Sequence, residues 1–380
     1  RQAQACPTSN SLAPEGRPMS TIGIVGANGQ VGSEVCLFLS RTPGITVVPI
    51  CRSRLAGAFL TRCGLTCRYG AVTQPGEAAR LLEGCDLVAD FTMARGLTSE
   101  MRETIRGIVT ACLHHSPAGS RFVYTSSEMA YGMRHQPGSP FRHHLLSRTV
   151  YGASKRYGEA FAMRIGRATA HEVYALRLGQ VHGELQNVTL NLRASFRDEA
   201  AHVPDALSDT VFAFSIAEAL AHIAAGKESP GLYTLISTPQ WSWKEVHEHY
   251  ARECGAHPEI VLVPPPSIPS AFATTKRAAI GWAVSAAGRY RDVISGYLLH
   301  RFPALEARVA ATYRSRTAAA QVRALARASQ YRPYDDIFAG AVQGNRLRSL
   351  SDSRTSMQPM TAEIRQTVGA LAKAAEGARR

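Results

Sequence analysis

Apolar and polar positions along the chain alternate between two periods. Thr21, Ile22, Ile24 and Val25 form a short β-branched run that suits a buried parallel strand, and Val35, Leu37, Phe38 and Leu39 follow at helical spacing. The same exchange repeats downstream. Ile45–Ile50 and Leu65–Tyr69 read as strands, and Glu77–Leu82 as a helix after the turn Gln74-Pro75-Gly76. Leu87, Val88 and Ala89, between Asp86 and Asp90, make a fourth strand. Ser99–His114 places Met101, Ile105, Ile108, Val109 and Cys112 along one helical face, and Arg121–Thr125 is a fifth strand. Strands alternating with helices at this cadence predict an α/β fold with a doubly wound parallel sheet.

Beyond the fifth strand the pattern predicts a helix opening at Tyr151, a helix at Ile216–Ala225 ended by Gly226, a strand at Gly231–Ser237 and a helix at Trp241–Glu253. Pro264-Pro265-Pro266 and Pro269 mark a linker. After it come Ala-rich helical stretches at 271–313 and 318–329 and a final helix over Thr361–Ala378. The organisation read from these features is a polar, disordered tail at 1–18, a Rossmann unit at 19–183, a mixed lobe at 184–263 and a helical basic extension at 264–380.

Composition narrows the class. With 380 residues, 45% of them hydrophobic, the chain can bury a large core. It holds no apolar run of membrane-spanning length and no secretory leader pattern, so a cytoplasmic location is expected. Eight cysteines with a single close pair, Cys63 and Cys67, read as reduced thiols. The histidines at 114–115, 143–144, 247 and 249 lack a carboxylate at metal-ligand spacing, so no metal is expected. The net charge of +14 is concentrated after Pro264, where 18 Lys/Arg face 7 Asp/Glu. The excess reads first as a solvated helix face; the helices are expected, in this order, to pack on the rest of the chain, to join two subunits as a homodimer, or to lie on an anionic membrane surface, and nucleic acid is not expected as a partner.

Three segments carry candidate chemistry. Between the first strand and its helix, Gly26, Gly29 and Gly32 form a G-x-x-G-x-x-G turn with Asn28, Gln30 and Val31. Such a turn admits a pyrophosphate against the backbone at a helix N-terminus. The second strand ends in Cys51-Arg52-Ser53-Arg54 with no acidic residue, so Arg52 and Arg54 favour the 2′-phosphate of NADP over the bare ribose of NAD. Tyr151 and Lys155, four apart in Tyr-Gly-Ala-Ser-Lys, share a helix face, where an ammonium near a phenol would lower its pKa.

The glycine turn, the strand end Tyr124-Thr125-Ser126-Ser127, the Tyr-Gly-Ala-Ser-Lys helix start and the strand-loop 175–184 together resemble the extended short-chain dehydrogenase/reductase family, in its NAD-dependent epimerase/dehydratase branch. The resemblance covers roughly 21–254 and implies an NAD(P)-dependent epimerase or reductase acting on a nucleotide-linked sugar. The alternatives are a carbonyl reductase of a non-sugar metabolite and a non-catalytic dinucleotide sensor. By the same resemblance Tyr151 is the acid/base, Lys155 its partner and ribose ligand, and Ser127 the hydroxyl that orients the substrate oxygen. Ser126, Gln180 and Val181 join the glycine turn around the cofactor, while Glu128, Met129, His182 and Asn187 fall on the substrate side. The Trp241–Glu253 helix belongs to a small substrate lobe. Where related sugar dehydratases carry Thr-Asp-Glu, this chain has Ser127-Glu128-Met129, which disfavours elimination because methionine cannot abstract a proton.

Overall fold

The sheet is built as the periodicity predicts, and its register explains why. In the computed structural model, which describes residues 20–94, 98–130, 150–196, 200–237, 240–263 and 353–377, seven strands lie parallel. They are β1 (Ser20–Val25), β2 (Ile45–Cys51), β3 (Arg68–Tyr69), β4 (Leu87–Asp90), β5 (Arg121–Ser127), β6 (Glu172–Leu178) and, later in the chain, β10 (Gly231–Leu235). Their order is β10-β6-β5-β4-β1-β2-β3. The direction of winding therefore reverses between β1 and β4, and a crevice opens beyond the strand ends at that point.

Alternate side chains feed two apolar layers. Leu87, Ala89 and Val123 point into one core with α1 (Gln30–Leu39) and α7 (Ala213–Ala224). Val88, Phe122 and Tyr124 point into the other, with α4 (Thr98–His115) and α5 (Val150–Thr169). Two further helices, α2 (Arg54–Arg62) and α3 (Glu77–Leu82), complete the layers around β3. Helix α2 was not expected. Ser53 caps it, its hydroxyl accepting from the Ala56 N–H at 3.2 Å, and only Gly57 and Leu60 of its length are buried.

After β6 the chain leaves the sheet through β7 (Gln180–His182) and α6 (Asn187–Ser195), then β8 (Ala201–Pro204) and β9 (Thr210–Phe212). It returns through α7 and β10, then adds α8 (Trp243–Glu253) and β11 (Ile260–Val263). β7 pairs with β9 and β8 with β11, over a separate core of Leu192, Val203, Phe212, Trp241, Trp243, Val246 and Tyr250. Ser242 and Glu245 close the start of α8 as a reciprocal capping box.

The last helix, α9 (Ser353–Gly377), begins earlier than Thr361 and runs through Pro359. It packs on the body of the fold. Ile364 is fully buried in the layer shared by α1 and α7, with Met360 and Val368 beside it. Arg41, just past α1, donates from Nε to Glu363 at 2.5 Å and from Nη2 to Thr367 at 3.3 Å. The helices expected at 271–313 and 318–329, and the tail at 1–18, lie outside the described residues. Among the described residues, no helix is long and apolar enough to cross a membrane.

Candidate active site

The glycine turn closes on itself as its sequence requires. Gly26 has φ +78°, and a Cβ there would stand 3.0 Å from the backbone of Phe91 and Thr92. A Cβ at Gly32 would stand 2.7 Å from the Gly26 carbonyl oxygen. Both positions are therefore closed to other residues by backbone, which has little room to give. Gly29 caps α1 without a side-chain hydrogen bond, and Asn28, Gly29 and Gln30 are exposed, with Val31 half-buried behind them. The N–H groups of the first helical turn are thus presented to the crevice.

That crevice is a cavity of about 870 Å³. Gly26, Asn28 and Gly29 form one wall, Arg52, Gly70 and Ala71 another, and Thr92, Met93 and Ala94 a third. Its size falls within the usual range for small-molecule sites. Arg52 lines it, whereas the Arg54 guanidinium lies 5.9 Å from the Tyr69 ring centroid and is absent from the lining. The residues fit a dinucleotide: the turn leaves a cradle that a Cβ would fill, and the helix end faces it uncapped.

A smaller cavity shares the wall Thr92-Met93-Ala94 and adds Asp90, Tyr124, Tyr151 and Lys155. Here the fifth strand and α5 meet. The Ser127 hydroxyl lies beside the Tyr151 phenol, close enough to favour its ionised form. The Ser127 oxygen also accepts from the Met129 N–H at 3.3 Å, in the single turn of 3-10 helix Glu128–Ala130. Lys155 is buried, and its Nζ donates to the Thr125 carbonyl at 2.7 Å. It stands 5.8 Å from the Tyr151 ring centroid and 5.3 Å from that of Tyr124.

The electrostatics differ from the expected depression of the phenol. Burial raises the Tyr151 pKa above the tyrosine norm, with the Ser127 hydroxyl opposing and the Glu128 carboxylate adding to the rise. Burial lowers the Lys155 ammonium, against the pull of Asp90 and Glu159. Glu128 is itself buried, with Oε2 lacking a hydrogen-bond partner. Desolvation and the nearby Asp209 push it well above the carboxylate range, toward the neutral acid.

Two residues expected at the ligand are turned elsewhere. Ser126 donates to Glu159 Oε1 at 2.5 Å, because successive side chains on β5 face opposite ways and Ser127 takes the cleft side. Glu159 in turn receives both prongs of the buried Arg177, Nε at 2.9 Å and Nη2 at 2.8 Å. His182 is fully buried, stacked on Tyr250 with centroids 5.7 Å apart, and its Nδ1 lies 3.1 Å from the Tyr250 hydroxyl. Burial, with His247 and His249 nearby, lowers its pKa to about 3. It is a neutral core residue of the lobe, so its place on the substrate side is corrected.

The loop after β7 is fastened to α1 by Glu34, a residue that sequence reasoning passed over. Glu34, on α1 and fully buried, accepts from the Glu184 N–H at 2.7 Å, the Leu185 N–H at 3.1 Å and Gln186 Nε2 at 2.8 Å. Gln186 Nε2 also reaches the Gln30 carbonyl at 3.0 Å. Gln180 and Val181 are half-buried in β7, and Val181 packs against the sheet core. Asn187 is exposed as the first residue of α6, whose N-cap is Gln186. The signal for Glu34 was a lone carboxylate on an otherwise apolar helix face, which a buried partner must satisfy.

Comparison with known proteins agrees with this architecture. Residues 22–200 match the profile of the NAD dependent epimerase/dehydratase family. No curated protein matches the chain. Among solved structures, the UDP-N-acetylglucosamine 4-epimerase from Bacillus cereus aligns with TM-score 0.51 at 18% identity, over 67% of this chain and 91% of its own. The UDP-Glc/GlcNAc 4-epimerase from Campylobacter jejuni aligns with TM-score 0.51 at 18% identity, over 66% and 89%. The UDP-glucuronic acid 4-epimerase from Bacillus cereus, solved with UDP-glucuronic acid and NAD, aligns with TM-score 0.50 at 16% identity, over 64% and 86%. At such identities the likeness is one of fold.

Proposed function

We propose that the chain is an NAD(P)-dependent epimerase of a nucleotide-linked sugar, since residues 22–200 match the profile of the NAD dependent epimerase/dehydratase family, the branch of the extended short-chain dehydrogenase/reductases that the sequence resembles. The observation that carries this reading is the placement of Tyr151 with Lys155 against its ring and Ser127 beside it, in a cavity that shares a wall with the glycine-turn cavity.

The glycine turn and the start of α1 would hold the pyrophosphate of the dinucleotide, with Arg52 at the ribose end. The bound nicotinamide supplies a hydride acceptor and donor. This chain's residues handle the proton. A sugar hydroxyl placed against Tyr151 gives its proton to the phenolate as the carbon is oxidised, and Tyr151 returns it when the carbonyl is reduced. Ser127 meets the charge that gathers on that oxygen with an oriented hydroxyl. Burial raises the Tyr151 pKa, so the phenolate that begins the cycle depends on positive charge close by. Lys155 supplies the positive charge on the same side that favours the phenolate. Glu128, held toward its neutral form, supports a donor rather than a base beside them.

The neighbouring structure solved with a dinucleotide is named with NAD. Arg52 in the cavity wall, with no carboxylate at the end of β2, supports acceptance of the 2′-phosphate as well. The test is direct. Purified protein is examined for bound dinucleotide, then incubated with UDP-hexoses, UDP-N-acetylhexosamines and UDP-glucuronate with either cofactor added. Interconversion of 4-epimers without net change in cofactor absorbance is expected. Consumption of NADPH with a non-sugar ketone, and no turnover of any UDP-sugar, would replace this reading with the carbonyl-reductase alternative.

A further inference from the structure

Besides a contact of Arg365 with Glu253 on α8, helix α9 has two ties that bear on α1, and one of them reaches the glycine turn through a series of hydrogen bonds. Arg365 donates to Glu184 from Nη2 at 2.7 Å and from Nε at 3.1 Å. The backbone of that same Glu184 is fixed by Glu34 of α1, and Gln186, two residues on, spans Glu34 and the Gln30 carbonyl. Gln30 opens α1 directly after Gly29.

The second tie lies at the opposite end of α1, where Arg41 pairs with Glu363 and Thr367. Ile364, between the two ties, is anchored in the core. Helix α9 therefore bridges these two points while packing on α7. It joins the end of α1 to the loop 183–186, which closes over the start of α1. Glu184 has a second cation, Arg193, whose fork binds both its oxygens at 2.8 and 2.9 Å. The loop is thus attached to α6 without Arg365. What Arg365 adds is the link to α1 by way of α9.

We propose that Arg365 is a positioning residue for the dinucleotide-binding turn: through Glu184 and Gln186 it holds the loop 183–186 against Gln30, and so sets the pose of the Gly29–Gly32 turn. The inference rests on the reading of that turn as the dinucleotide site. It concerns α9, which lies outside the 22–200 segment matched by the family profile.

The experiment titrates NAD and NADP into the full chain and into Arg365→Ala, Arg365→Lys and Arg41→Ala by calorimetry, with melting temperature recorded for each. Arg365 is about half exposed, so its truncation is expected to leave the fold and melting temperature close to wild type. Dinucleotide affinity should fall about three- to tenfold, the range of coupling carried by such networks. The Lys variant should recover part of it. In turnover assays the KM for the dinucleotide should rise with kcat unchanged. Arg365→Ala binding as tightly as wild type at equal stability overturns the inference while leaving the site reading intact. Wild type that binds neither dinucleotide overturns the site reading, and the inference with it. Should Arg365→Ala not fold, the Lys variant carries the comparison, and wild-type affinity with its weaker, single-pronged contact and an unchanged KM would equally overturn the proposal.

Discussion

The carboxylate of Glu34 occupies the place a side chain at Gly183 would need: a Cβ there would stand 2.3 Å from Oε1. Helix α1 and the loop after β7 are therefore fitted to each other through one buried acid and one absent side chain. The acid accepts only. Glu34→Gln would turn an NH2 toward one of the Glu184 and Leu185 N–H donors, leaving a donor against a donor in a buried site. A loss of about 2–3 kcal/mol is expected, from the cost of an unsatisfied buried group. Urea unfolding of the variant checks it, and an unchanged midpoint would remove Glu34 from this role.

Gly32→Ala is expected to be worse for binding than for folding. The added methyl meets the Gly26 carbonyl oxygen at 2.7 Å, so α1 must back away from the turn it starts. Dinucleotide titration should show loss of measurable binding. The melting temperature should drop by only a few degrees, as for an overpacking change of about 1–3 kcal/mol.

Glu159 and Arg177 form a buried two-pronged pair beneath the end of β5, where Ser126 also donates to the carboxylate. Arg177→Met leaves Glu159 in the core without that fork, and breaking such a pair costs about 3–5 kcal/mol. The double change Arg177→Met with Glu159→Leu should recover much of the loss, because apolar replacement of both partners removes the desolvation penalty. Chemical denaturation of the three variants gives the cycle.

The sheet was legible because its strands are β-branched runs whose alternate residues serve two cores, as Val88 between Leu87 and Ala89 illustrates. The meeting of Ser127, Tyr151 and Lys155 was legible only through resemblance to a family, since nothing in the spacing brings 127 to 151. What stayed hidden depends on partners far apart in sequence. Glu34 is one acid on an apolar helix until the loop at 184–186 arrives. His182 offers an imidazole to any reading until Tyr250 and Phe212 enclose it. Ser126 and Ser127 are equivalent in the sequence, and the strand's alternation separates them.

Tyr151→Phe removes the proton carrier and leaves the ring. Turnover is expected to fall about 10²- to 10⁴-fold, the usual worth of a general acid/base. Dinucleotide affinity should change little, because Tyr151 lines the smaller cavity and not the one at the glycine turn. Ser127→Ala should cost about 10²- to 10³-fold in kcat by the oxyanion argument. Single-turnover kinetics on both variants tests the assignment, and full activity in either one refutes that residue's role.

The lobe should carry a pH signature of its own. His182 titrates at about 3 in the folded chain, against about 6.5 once unfolded. Below pH 6.5 the unfolded chain takes up a proton that the folded chain refuses, so folding is weakened as pH falls. The stabilisation is complete above about 6.5 and declines by up to about 1.4 kcal/mol per pH unit down toward 3. His247, packed against Trp243 and Phe196, is lowered by the same burial and adds to the slope. Because His182 also bonds the Tyr250 hydroxyl, His182→Gln keeps a polar partner there while abolishing the titration. Urea unfolding between pH 7 and 4 should give a shallower decline for this variant than for the wild type. Parallel curves would mean that the imidazole is not neutral and enclosed as the structure places it.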